Sequence, residues 1–330
     1  MPPRQKWIEE VDGLTPTSQA AATILRLRLE PIAPLLALAA QPHEEDARCV
    51  HQLRVAIRRA EAAMRAFRPC FRPRRWQRLR GRLREIRRAA GDARETDVHI
   101  EMLTERLAGA DDRDRAVLEY ALRQTRRRRH GAQRAVDDAA RRHPQRKLQR
   151  TMRRLLDSAA AADEEQPVLR DLAAAQLSLG LRQVEDAAAM DLSVFEHLHA
   201  LRIRSKRLRY AMEIFAPCFD ECFRSELYPE FSLLQDRLGE INDAHELALR
   251  FDRYAAEVGS LPAAERPAAP FSPSAPSDLE LGHELRRWAA ACRNERDRRR
   301  REFLLWWADF RSRGVLMRLR EFLDLPPART

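Results

Sequence analysis

The stretch His51-Gln52-Leu53-Arg54-Val55-Ala56-Ile57-Arg58-Arg59, which continues to Phe71, decides the fold because it recurs between His199 and Phe219. When the two copies are aligned at an offset of 148 residues, ten of the twenty-one positions are identical. The same offset pairs Gly91 with Gly239. Two unrelated segments rarely agree at one constant offset over such a length. We therefore interpret the agreement as an internal duplication.

Each copy has the pattern of an amphipathic helix. At about 100° per residue, apolar side chains occupy one side and basic side chains the other. The basic stripes are His51, Arg54, Arg58 and Arg65 in the first copy, and His199, Arg202, Lys206 and Arg209 in the second. A solvated charged face is the ordinary interpretation of such a stripe. These stripes, however, have almost no acidic residue at i+4, apart from Glu213, and they are duplicated together with a histidine. We therefore predict that they form a binding surface.

The composition predicts an all-α protein. The chain has 330 residues, of which 44% are hydrophobic and only 6% are aromatic. Abundant alanine, leucine and arginine favour helix over sheet. A chain of this length can bury one large core or two linked cores.

The charge predicts a polyanionic partner. The net charge is +11 and the isoelectric point is near 10.2. Lysine occurs only at Lys6, Lys147 and Lys206, so 58 of the 61 basic residues are arginine. Arginine presents a planar fork that suits bidentate phosphate contacts. Nucleic acid, a phosphate polymer and an acidic membrane surface all fit this charge.

The cysteines and the apolar runs predict a cytoplasmic location. Five scattered cysteines without a C-x-x-C pair, and the lack of a recognisable secretory leader, indicate a reducing compartment. No run approaches the roughly eighteen apolar residues of a membrane-spanning helix.

The chain divides into a leader at 1–16, an N-terminal half at 17–160 and a C-terminal half at 161–330, with a flexible Pro/Ala/Ser-rich insertion at 259–280. Pro31 and Pro34 should kink or divide the first helix. The predicted helices are Thr17–Ala40, Asp46–Arg68, Arg74–Ala90, Asp112–Arg142, Pro144–Leu156, Leu279–Phe310 and Gly314–Leu323.

Gly91 is predicted to cap the helix that precedes it, so that acidic residues begin the next helix. These residues are Asp92, Glu95 and Asp97, with Glu240, Asp243 and His245 as counterparts. They could form a metal site. A helix dipole and many arginine neighbours explain the acidic residues equally simply, and we favour this explanation, so no metal or cofactor is predicted.

Two further arginines interrupt apolar stripes. Arg129 lies in the stripe of the helix at 112–142, and Arg299 lies in the same phase of the helix at 279–310. Because an unpaired guanidinium cannot lie in a dry core, each must meet a carboxylate, a wet cavity or a bound anion. Glu295 could satisfy Arg299.

The pattern H-x-L-R-[VI]-x-x-[RK]-R followed by Phe and Pro, present twice in a basic helical chain, resembles the CHAD family, the conserved-histidine α-helical domain. The resemblance covers Thr17 to Leu325. It implies two helical bundles related by a pseudo-twofold axis, with a basic central pore or groove, and binding of inorganic polyphosphate. No E-x-E-x-K strand of a fused triphosphate-tunnel domain is found, so we predict a standalone module.

The ligands implied by the resemblance are His51, Arg54, Arg58, Arg59, His199, Arg202, Lys206 and Arg207. Helical phase adds Arg65, Arg129, Arg209 and Arg299 to the candidate polyphosphate-binding residues. The first copy has Ala60-Glu61 where the second has Leu208-Arg209. This difference weakens the charge of the first stripe and argues against two equivalent sites.

The predicted function is non-catalytic polyphosphate binding, with association with polyphosphate granules as a further expectation. Binding should weaken with salt and tighten at mildly acidic pH, as histidines gain charge. A phosphatase or kinase acting on polyphosphate is one alternative, although no G-x-x-x-x-G-K-[ST], H-E-x-x-H or Ser/His/Asp set is found. General nucleic-acid binding is another, although the chain has neither a zinc-finger pattern nor an aromatic stacking platform.

Overall fold

The computed structural model describes residues 6–41, 46–159, 167–260 and 278–324. Every regular element in these ranges is helical, which confirms the all-α prediction. The helices are α1 Thr17–Leu29, α2 Ile32–Ala39, α3 Asp46–Ala66, α4 Pro73–Ala108, α5 Asp112–Arg142, α6 Gln145–Leu156, α7 Leu169–Ala188, α8 Phe195–Phe215, α9 Tyr228–Ser260, α10 Asp278–Ser312 and α11 Val315–Asp324.

The helix order of the first half recurs in the second. The motif helices α3 and α8 are each followed by a 3₁₀ turn that contains the Pro-Cys pair, then by a long helix hairpin and a short closing helix. The first half begins with two helices because Pro31 divides α1 from α2, as its rigid ring predicts. The second half has Leu179 at the matching position, and α7 is continuous there.

The prediction that Gly91 ends a helix is wrong. The helix α4 runs through Gly91, and α9 runs through Gly239. A glycine inside a helix costs only about 1 kcal/mol, which the packing of such long helices readily offsets. The acidic residues after Gly91 therefore lie within a helix, and a helix-start dipole does not explain them. A side chain at Gly91 would place its Cβ 3.4 Å from Nη1 of Arg54, so Gly91 lies next to this guanidinium.

Two cores hold the chain together, and both contain residues from each half. The larger core includes buried residues of the motif helices, among them Phe67 and Phe215. The smaller core joins the ends of the two hairpins through residues such as Leu118 and Phe251. Its polar centre is a hydrogen bond of 2.8 Å between the Thr125 and Tyr254 hydroxyls. Burial of these shared surfaces couples the halves to each other.

The described part of the N-terminal segment is tied to the second half. Ile8 and Val11 are buried in the larger core. The Leu169 amide donates to the Thr15 carbonyl over 2.9 Å, at the start of α7. Residues 160–166 of the segment that connects the halves, and residues 261–277 of the predicted insertion, lie outside the described residues. Among the helices that are described, none has both the length and the apolar character needed to span a membrane.

Candidate anion-binding cleft

The motif helices α3 and α8 pack against each other at equivalent positions. The rings of Phe67 and Phe215, which the sequence offset pairs, meet edge to face with centroids 6.0 Å apart. Both rings are fully buried. The apolar faces of both helices point into the larger core, as their phase predicts. The basic faces are consequently left to line a cleft that α9 borders on the remaining side.

The cleft is open and has a volume of about 570 Å³. Its lining consists of His51, Val55, Arg58, Arg59, Arg202, Lys206, Arg209, Tyr210, Gln235, Asp236, Gly239, Glu240 and Asp243. Six of the twelve predicted site residues are among them, drawn from both motif copies. Phosphate groups are bound in proteins by this combination of guanidinium, ammonium and imidazole donors.

The cleft also contains acidic residues that the motif sequence does not show. Asp236, Glu240 and Asp243 lie on α9, together with Gln235. Their i, i+3 and i, i+4 spacings put them on one helix face, and this spacing is the sequence signal that would have identified Gln235 and Asp236. Tyr210 was also not predicted. The basic stripes of α3 and α8 contain few acidic residues, and the acidic residues of the cleft come from α9 instead.

Burial raises the pKa of the Asp243 carboxyl, while Arg202, Lys206 and Arg94 oppose the rise. The Asp243 carboxylate therefore compensates only part of the positive charge of Arg202 and Lys206.

Lys206 lies among arginines from both motif helices. Burial, followed by the charges of Arg58, Arg202, Arg209 and Arg54, lowers its pKa to about 7. A lysine with this pKa gives up its proton near neutral pH because no sufficient negative charge stabilises the ammonium. An anion that enters the cleft would supply this charge.

Three cations of the cleft have no carboxylate partner in the part of the chain that the structure describes. Arg58, Arg202 and Lys206 form no ion pair within 4.0 Å with any carboxylate that the structure describes. Nε of Arg202 is buried without a hydrogen-bond partner among the described residues. Burial lowers the pKa of Arg202, with Asp243 opposing the shift and Arg58 adding to it.

Arg54 lies behind the cleft, against α4. Its Nη1 donates to the Arg87 carbonyl over 3.1 Å. Burial and the charges of Arg58, Arg87 and Arg94 lower its pKa to about 10. Arg54 therefore adds positive potential to the cleft without lining it.

Glu213 is the carboxylate partner of two other cations of the cleft. Its carboxylate accepts from Nε of Arg59 and from Nη1 of Arg209, each over 2.7 Å, and also from the Tyr228 hydroxyl over 2.7 Å. The Glu213 side chain is 1% exposed, so the group is a buried ion cluster. Arg59 and Arg209 are thereby held in place as part of the wall.

The two histidines of the motif lie in different surroundings. His51 lines the cleft. Nδ1 of His199 is 3.1 Å from Oδ1 of Asn242 on α9, and its ring lies beside Phe195. Burial lowers the pKa of Arg65, and the charge of the nearby Arg207 lowers it further. Neither lines the cleft.

Arg129 and Arg299 both have carboxylate partners. Nε of Arg129 donates to Asp97 over 2.6 Å. Arg299 contacts Glu240 over 2.6 Å and the predicted Glu295 over 2.8 Å. Of the three environments expected for these arginines, the structure shows the carboxylate in each case.

Three of the acidic residues considered for a metal site, Glu95, Asp97 and Glu240, contact arginines. Asp97 contacts Arg129, and Glu95 contacts Arg250 over 2.5 Å. No group of three or more His, Cys, Asp or Glu side chains that could hold a metal ion is found in the described ranges.

The fold and the cleft together define an all-α protein in which two arginine-rich helices pack side by side and line a basic cleft. The family model of the CHAD domain matches residues 32–252, and the chain belongs to this family. The resemblance found in the sequence is thereby confirmed.

Two solved structures share the fold. The CHAD domain from the plant Ricinus communis is 20% identical, with a TM-score of 0.66, and the match covers 97% of this chain and 96% of that chain. PptA from Streptomyces chartreusis is 19% identical, with a TM-score of 0.54, and the match covers 86% of this chain and 99% of that chain. No curated protein matches the chain.

Proposed function

We propose that this protein binds inorganic polyphosphate, without transforming it, in the cleft between α3 and α8. The observation that carries the proposal is that Arg58, Arg202 and Lys206 line one cleft and have no carboxylate partners among the described residues. Bringing three partly buried cations together is unfavourable unless an anion compensates them. The resemblance to the CHAD family supports a polymer of phosphate as this anion.

The geometry favours a linear polymer with closely spaced charges. The cations come from two separate helices, so a single ligand would have to contact both walls at once. Polyphosphate has about one negative charge per phosphate, and each guanidinium can contact two oxygens. Neutralising several phosphates releases their counterions, and this release supplies much of the affinity.

The proposed contact residues are Arg58, Arg202, Lys206 and His51, with Arg54 behind them. Arg59 and Arg209 would hold the wall through Glu213, and the side chains of Arg65 and Arg207 would extend the basic surface beyond the cleft. We also propose that the two motif copies face each other across the pseudo-twofold axis implied by the resemblance. Cytoplasmic location and association with polyphosphate granules remain part of this proposal.

An equilibrium titration of the full chain with long polyphosphate tests the proposal. The variant Arg58→Ala/Arg202→Ala removes one cation from each wall. A charge-assisted hydrogen bond contributes about 1.5–3 kcal/mol, so the double variant should bind at least about a hundredfold more weakly. The matched control is Arg146→Ala/Arg150→Ala, which removes the same charge from exposed positions of α6. Equal affinities of the two variants would refute the cleft as the site.

Competition distinguishes polyphosphate from nucleic acid. DNA and RNA should displace polyphosphate only weakly at a matched concentration of charge, because the cleft has no platform of exposed aromatic rings on which bases could stack. Displacement by RNA at an equal or lower charge concentration would instead favour the nucleic-acid alternative.

A further inference from the structure

Lys206 is the lysine that lines the cleft, and its surroundings differ from those of the other two lysines. The Lys6 ammonium lies over the rings of Trp7 and Tyr228, at 4.6 and 3.9 Å from their centroids. Lys147 is exposed on α6. Lys206 alone combines partial burial with access to an open cleft.

A large fraction of the Lys206 amine is in the neutral, nucleophilic form near neutral pH. The groups that act on it are Arg54 and Arg58 from α3, Arg202 and Arg209 from α8, and Asp243 from α9. With a pKa of about 7, the amine is neutral in roughly three quarters of the molecules at about pH 7.5. A lysine with the ordinary pKa of about 10.4 is neutral in roughly 0.1% of molecules at that pH. Nucleophilic attack requires the neutral form.

The same cleft has the cations to hold a small phosphate compound next to this amine. Arg58 and Arg202 have guanidinium groups without carboxylate partners among the described residues. These groups can therefore bind a phosphate dianion. A reagent that carries both a phosphate and an electrophilic carbon would then be held beside Nζ of Lys206. Positioning of this kind accelerates a reaction between two bound groups.

We propose that Lys206 is an acylation site for acyl phosphates, with the neighbouring arginines holding the phosphate that leaves. The inference rests on the affinity of this cleft for phosphate, which it shares with the proposed function. It differs in that the ligand is a small reactive phosphate and the result is a covalent change.

The reaction balances without a further reactant. The lone pair of Nζ attacks the acyl carbon, an amide C–N bond forms, and the bond between the acyl carbon and the bridging oxygen breaks. The phosphate group of the acyl phosphate leaves with the bridging oxygen and takes the proton that the amine loses, so that hydrogen phosphate dianion is released. Arg58 and Arg202 stabilise the negative charge on the leaving oxygen as the bond breaks.

Acylation would regulate the cleft. The amide cannot take up a proton, so Lys206 can no longer provide a positive charge to bound polyphosphate. The acyl group also occupies part of the space beside Arg58 and Arg202. Polyphosphate should therefore bind the acylated protein more weakly, and bound polyphosphate should protect Lys206 by covering it.

Incubation of the full chain with acetyl phosphate at about pH 7.5 tests the proposal, with occupancy of each lysine followed by peptide mass spectrometry. We expect Lys206 to be acetylated at least about tenfold faster than Lys147, given the difference in neutral fraction. Arg58→Gln should slow labelling of Lys206, and Lys206→Arg should abolish label at this position. Lys147→Arg is the matched control and should leave labelling of Lys206 unchanged.

A neutral acetylating ester, N-hydroxysuccinimidyl acetate, separates reactivity of the amine from guidance by phosphate. Inorganic phosphate should slow the reaction of Lys206 with acetyl phosphate much more than its reaction with the ester. Equal rates at Lys206 and Lys147, or a preference for Lys206 that appears only with the ester, would overturn the proposal. Polyphosphate titration of the same preparation distinguishes the two proposals: binding without acetylation removes only this inference, and acetylation without binding removes only the proposed function.

Discussion

Raising the pH above about 7 should weaken polyphosphate binding because Lys206 loses its proton. The free protein has a Lys206 pKa of about 7, and a bound polyanion would raise this value. Below about pH 7 the amine is protonated in both states, so affinity does not depend on Lys206 titration. Above this value the free protein must take up a proton to bind. Affinity then falls by up to tenfold, or about 1.36 kcal/mol, per pH unit until the pKa of the complex is reached.

The assay is an equilibrium titration with long polyphosphate between about pH 6 and pH 9 at constant ionic strength. Over the two pH units above 7, the wild type should lose up to about a hundredfold in affinity. Lys206→Arg provides the comparison, because a guanidinium keeps its charge throughout this range. The variant should therefore show a much flatter profile. A flat profile for the wild type, or the same slope in both proteins, would refute the role of Lys206.

Three further predictions concern stability and chemistry. Glu213→Gln should lower the free energy of unfolding, measured with urea, by about 3–5 kcal/mol, because Arg59 and Arg209 lose their buried partner; an unchanged midpoint and slope would contradict this. Phe67→Ala should also cost about 3–5 kcal/mol in the same measurement, because it leaves a cavity against Phe215; a loss below about 1 kcal/mol would show that the contact between motif helices is unimportant. Incubation with polyphosphate, magnesium and ADP should produce neither shorter chains nor ATP, and either product would favour the enzyme alternative.

The sequence predicts most of the helices because their signals are local. Apolar periodicity locates α3, α5 and α10, and the ring of Pro31 predicts the division between α1 and α2. The error at Gly91 has a physical reason. Glycine carries a small helix penalty, which is offset by the packing of a long helix against distant parts of the chain.

Part of the basic lining of the cleft is also predictable, because helical phase places Arg58, Arg202 and Lys206 on the basic faces of the motif helices. The neutralising partners are not predictable in the same way. Arg129 meets Asp97 from α4, and Arg59 meets Glu213 from the other motif copy. These contacts depend on how distant helices pack, which no spacing within one helix encodes. As a result, helical phase identifies the basic residues but does not separate those without carboxylate partners from those already paired.

The salt dependence of polyphosphate affinity tests the central claim most directly. With about four phosphates neutralised in the cleft, log K should fall with log salt concentration with a slope of roughly −3, and between about 50 and 200 mM salt the affinity should fall about fiftyfold. Arg58→Ala/Arg202→Ala should roughly halve this slope, whereas Arg146→Ala/Arg150→Ala should preserve it. The account predicts this difference between the two double variants, and identical slopes for the cleft variant and the wild type would contradict it.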